Sequence, residues 1–150
     1  MTDVCTLREQ LNSIRRLHKR LEHDLERREA LMAKATRANA PMSADKVQTS
    51  LSGGHAVIMA TIADLDTIID AEKAYLEGLK NWARDFFESG DLEREELEVM
   101  LLRYVSCLDW DEIAEIMYWS RRQVQRLHGS ALVKLGTLWH TLAHSDTRFL

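Results

Sequence analysis

The amino-acid sequence predicts an all-α protein: a long N-terminal helical hairpin of coiled-coil character, followed by a C-terminal helix-turn-helix domain. Three observations carry this. One Pro and six Gly in 150 residues leave too little turn chemistry for a β fold. Apolar residues recur at heptad spacing through two long stretches that contain almost no helix breakers. Near the C-terminus two helix-start signals stand eleven residues apart, at Asp109 and Ser120.

Residues 3–36 contain neither Pro nor Gly. Leu7, Ile14 and Leu21 hold one heptad position and Leu11, Leu25 and Met32 the other, with His18 and Arg28 as polar exceptions. Such a helix is about 50 Å long, and its narrow seam suits one helical partner. His18 reads as a core exception or register marker. The segment 37–54, with Pro41 and Gly53-Gly54, reads as a loop. A second long helix is expected from about His55 to Glu88, with Ile58, Ile62, Leu65, Ile69, Leu76, Leu79, Ala83 and Phe86 in its seam and Glu72 as the polar member.

Charge is uneven along the chain. Residues 1–54 carry ten Lys/Arg and seven Asp/Glu, residues 55–93 three and nine, and residues 94–150 seven and eight, within a net charge of −4. A basic helix and an acidic one joined by a loop fold back most simply as an antiparallel hairpin. The competing arrangement pairs either helix with its own copy, and a homodimer through other contacts stays open. Residues 1–90 therefore form the hairpin domain and residues 91–150 a second domain.

In that second domain, Ser89-Gly90-Asp91 ends the long helix. A helix from about Glu93 to Val105 presents Leu97, Met100, Leu101, Tyr104 and Val105, and a second from Trp110 to Met117 presents Ile113, Ala114 and Met117. A third, opened by Ser120, aligns Val124, Leu127, Ala131, Leu132 and Leu135, and the tail beyond it offers Leu138, Trp139 and Leu142 for burial. Asp109 with Glu112, and Ser120 with Gln123, have the spacing of capping boxes, in which two orphan amides are satisfied reciprocally. Two short helices around a tight turn, the second rich in Arg, are the one-dimensional form of a helix-turn-helix. Residues 95–115 hold one Arg and seven acids, whereas residues 116–136 hold four basic residues and no acid. A local field of this kind can orient a small module on a polyanion although the chain as a whole is acidic.

The string LLRYVSCLDWDEIAEIMYWSRRQVQRLHGSALVKL resembles region four of bacterial primary sigma factors. Ser120, Arg121, Val124, Leu127, Ala131, Leu132, Lys134 and Leu135 fill the pattern of its last helix. The chain is also similar to small phage-encoded sigma-like regulators of the ArpU and RinA late-gene activator type. That likeness rests on Lys46 to Ser50, Arg103-Tyr104, Trp110, Glu112-Ile113-Ala114 and Ser120 to His128. The resemblance implies a regulator of phage or prophage genes in the cytoplasm of a bacterial host, with double-stranded DNA as partner and RNA polymerase as a further contact. Where the sigma family has Gly in a left-handed backbone, after the first helix and in the turn, this chain has Cys107 and Tyr118. The departure implies either different turns or compensation by packing of Tyr118 and Trp119.

Within the recognition helix 120–135, Arg121, Arg122, Gln125 and Arg126 fall on the outer side, opposite Val124 and Leu127. Residues at these places reach base edges when the helix N-terminus enters a major groove, where Arg pairs with guanine and Gln with adenine. Ser120 and Ser130 offer hydroxyls to phosphate, and His128 and Lys134 read as phosphate neighbours. The plainer alternative is a solvated polar face. His140 and His144 have metal-ligand spacing but no third ligand nearby, so they read as an ordinary tail. Trp82, Trp110, Trp119 and Tyr104 read as packing residues. No cofactor, phosphate-binding Gly loop or catalytic cluster is legible, so no enzyme is expected. No apolar run is long enough to span a bilayer, no secretory signal opens the chain, and Cys5 and Cys107 read as free thiols. Two further functions fit the same residues: a small-terminase-like DNA-packaging protein, and a helical protein–protein adaptor.

Overall fold

The computed structural model describes residues 2–38 and 51–145. All regular structure among them is helical: α1 (Thr2–Ala38), α2 (Leu51–Ser89), α3 (Arg94–Met100) continued by a π-helical turn (Leu101–Val105), α4 (Trp110–Met117) and α5 (Arg121–Ser145). Helix α1 ends later and α2 begins earlier than the break at 37–54 suggests, and Gly53 and Gly54 lie inside α2. Glycine weakens a helix without forbidding it, unlike proline. Pro41 and the Lys46–Ser50 stretch lie outside the described residues. Helix α5 continues past Leu135 to Ser145, taking in most of the tail.

The chain packs as two compact units, Leu17–Tyr75 and the combination of Met1–Arg16 with Leu76–Leu150. Inside the first unit the two helices run antiparallel: Arg20 Nε meets Glu72 Oε1 at 3.2 Å and Arg28 meets Asp66, so position rises on one helix as it falls on the other. Leu21, Ala35, Ile62, Leu65 and Ile69 are buried there. Leu25 and Met32 are not; both are more than a third exposed, because two helices alone cover a narrower arc than the heptad stripe offers. His18 is half-buried and paired with Glu22 one turn on, at 3.2 Å. Burial pushes the Glu72 carboxyl above its ordinary range, aided by Asp24 and opposed by Arg20.

In the second unit Leu7, Leu11, Ile14, Leu76, Ala83, Phe86 and Phe87 are buried. Trp82 stacks on Phe86, with ring centroids 5.3 Å apart, and Trp139 meets both edge-on, which is how α5 beyond Leu135 is used. Leu142, by contrast, is half exposed rather than buried. The helix-turn-helix has its own small core of Val99, Ile113 and Val124, surrounded by Leu102, Leu108, Trp110, Ala114, Met117 and Leu127. Among the described residues no helix is long and apolar enough to cross a membrane.

Candidate nucleic-acid interface

Both expected capping boxes form. Asp109 and Glu112 cap α4 reciprocally, with the Asp109 amide donating to Glu112 Oε2 at 2.9 Å. At α5 the Gln123 amide donates to Ser120 Oγ at 3.2 Å and the Ser120 amide to Gln123 Oε1 at 3.1 Å. A third box, Glu93 with Glu96, opens α3. Glu is a weaker N-cap than Asp or Ser, so this one carries little signal in the sequence beyond its three-residue spacing.

Two left-handed residues shape the turns. Cys107 has φ 57° and Tyr118 φ 56°. The backbone thus takes a left-handed conformation at both positions without glycine. Tyr118 ends α4, and the Trp119 amide reaches the Ala114 carbonyl at 3.0 Å, a six-to-one closure that reverses the chain. Tyr118 does not recover the conformational cost by packing: its side chain is 95% exposed. Trp119 is itself partly exposed rather than a core residue.

Helix α5 contains no Asp or Glu over its 25 residues. Arg121, Arg122, Gln125 and Arg126 are all exposed on it. Arg121 makes a loose ion pair with Asp111 at 3.5 Å. Arg122, Gln125 and Arg126 have no hydrogen-bond or ion-pair partner among the described residues, so their donors face outward.

The remaining expected contacts are placed otherwise. His128 is buried, which corrects its reading as a phosphate neighbour: its Nε2 shares a 2.7 Å hydrogen bond with the Tyr104 hydroxyl, and the Trp110 ring meets it edge-on. Burial, with Arg8 and Arg103 nearby, pushes its pKa down to about 4. Lys134 Nζ donates to Glu96 Oε1 at 2.6 Å. Burial would raise the Glu96 carboxyl, but Lys134, Ser130 and the Glu93 amide together hold it below the usual range. Lys134 is therefore tied to the α3 start, although it and Ser130 lie at the surface.

Behind this face is a clasp that the sequence does not announce. Arg15 of α1 is buried and donates to the carbonyls of Leu108 at 2.8 Å and Arg103 at 3.0 Å, with Asp109 at 3.4 Å. Arg103 donates to the same Leu108 carbonyl, and its guanidinium lies 4.0 Å over the Trp110 ring. The loop that carries Cys107 and the α4 cap is thus held by two guanidinium groups. Neither Cys5 nor Cys107 is in a disulfide. Among the described residues no three His, Cys, Asp or Glu side chains gather to hold a metal, and the His140 and His144 rings lie against one another on the exposed end of α5. No family model, curated protein or solved structure matches this chain.

Proposed function

We propose that the protein is a sequence-specific DNA-binding transcription regulator that inserts the N-terminal part of α5 into the major groove. The observation that carries the reading is the outward set Arg122, Gln125 and Arg126, unpartnered on a helix free of acids. It is presented by a turn whose left-handed residue and capping box fix the angle at which α5 starts. Arg and Gln side chains so placed can each read a base edge, contributing about 1–3 kcal/mol of discrimination. Surrounding phosphates would meet Arg121 and the Ser120 hydroxyl at the helix start. Nothing in this arrangement supplies catalysis, so the reading is of a binder. On the resemblance to sigma region four, it acts on phage or prophage genes by recruiting RNA polymerase or by occupying its site.

Replacing Arg122 and Arg126 together with Ala is the direct test. Selection from a random-sequence duplex library by the wild-type protein is expected to enrich a defined site. The double variant should bind that site at least about tenfold more weakly and with relaxed sequence preference, while its helicity is unchanged. Wild-type affinity should fall linearly with salt on logarithmic axes. Equal binding by the two proteins overturns the reading.

A further inference from the structure

Glycine inside a helix costs about 1 kcal/mol relative to alanine, a cost that close packing or a bound ligand can offset. Among the described residues no glycine has a positive φ, so backbone freedom does not offset it. Packing accounts for Gly136 of α5, where a Cβ would come within 2.7 Å of Val4 Cγ2. Gly54 and Gly78 of α2 and Gly129 of α5 have open space instead, and of the three Gly129 is the one that lies on α5 among its exposed arginines. A Cβ there would meet nothing within 4 Å. The fold itself would therefore accept alanine at this position and gain stability.

The surroundings of Gly129 show what could require its bareness. One turn earlier on the helix surface stand Gln125 and Arg126, and two turns earlier Arg122. These are the exposed, unpartnered side chains of an acid-free helix. Ser130 beside it is polar and exposed. A chain approaching this spot meets guanidinium donors and open helix backbone, the complement of a polyanionic strand. We propose that Gly129 is a clearance for the phosphodiester backbone of duplex DNA, the missing side chain letting the groove wall lie against α5 while Arg122 and Arg126 hold it. The inference rests on the DNA-binding reading and adds to it a residue that sets how deeply the helix can seat.

The clearance predicts opposite signs for stability and binding at one position. Gly129→Ala should raise Tm by about 2–4 °C yet weaken binding to the library-selected duplex about tenfold. Gly129→Leu should weaken it further, with helicity by circular dichroism retained. Gly78→Ala in α2 is the control, since its Cβ would also meet nothing within 4 Å and its residue is exposed. It should raise Tm alike and leave binding unchanged. A Gly129→Ala protein that is more stable and binds as wild type overturns the clearance and leaves the DNA reading standing. So does a lowered Tm, which would make the glycine a requirement of the fold, or an equal binding loss in Gly78→Ala. If the wild type enriches no duplex, or the Arg122 and Arg126 replacements change nothing, both fall together.

Discussion

Tyr118 combines a left-handed backbone with a side chain that touches almost nothing: φ is 56° and the residue is 95% exposed. A side chain in that conformation costs on the order of 1 kcal/mol, and no packing offsets it. Tyr118→Gly is therefore expected to stabilise the protein by about 1 kcal/mol, read as a higher urea midpoint with unchanged slope. A loss of stability would mean that the phenol ring makes a contact in solution. The exposure of the ring was not legible in the sequence, because it depends on which way the turn leaves α4. His128 teaches the reverse. The spacing Val124, His128, Ala131, Leu135 already puts the imidazole on the buried stripe of α5. A preference for polar residues outside obscured a signal that periodicity contained.

At the scale of elements, helices were legible wherever their cause is local. The boxes at Asp109 and Ser120 bracket α4 and the start of α5 because cap and partner are three residues apart. The heptad stripes located α1 and α2, although Gly53-Gly54 was read as a breaker and lies within α2. Arg15 was not legible at all. Its partners are backbone carbonyls 88 and 93 positions away, and carbonyls leave no mark in a sequence. Its role can be measured. Arg15→Met keeps the apolar stem but removes the donors, leaving the Arg103 carbonyl without the guanidinium and the Leu108 carbonyl with Arg103 alone. A buried acceptor deprived of its partner costs about 1–3 kcal/mol. Chemical denaturation should show a loss of that size, with Cys107 reacting faster with a thiol reagent as its loop loosens. A variant as stable as wild type, with unchanged thiol reactivity, would show that the clasp holds nothing.

For the molecule as a whole, acid stability follows from two buried groups of opposite kind. The His128 pKa is about 4 in the fold against 6.5 for the free side chain. Between those values the unfolded chain binds the extra proton and the folded one does not, so stability is full above pH 6.5 and declines as pH falls toward 4. The Glu96 carboxylate, held below its ordinary 4.5, loses its contribution only as pH falls below that value. The upper part of the decline thus belongs to the imidazole. His128→Gln should flatten Tm against pH between 6.5 and 4.5 and leave the steeper loss below; a slope identical to wild type in that window would remove His128 as its source. The three capping boxes bear on how the chain reaches this state. Glu93, Asp109 and Ser120 each start a helix from within four residues, and the core they enclose joins Val99, Ile113 and Val124. Contacts so close in sequence cost little loop-closure entropy and form early. The C-terminal module is therefore expected to collapse first, within microseconds to milliseconds, with the Arg15 guanidinium engaging a loop that is already in place.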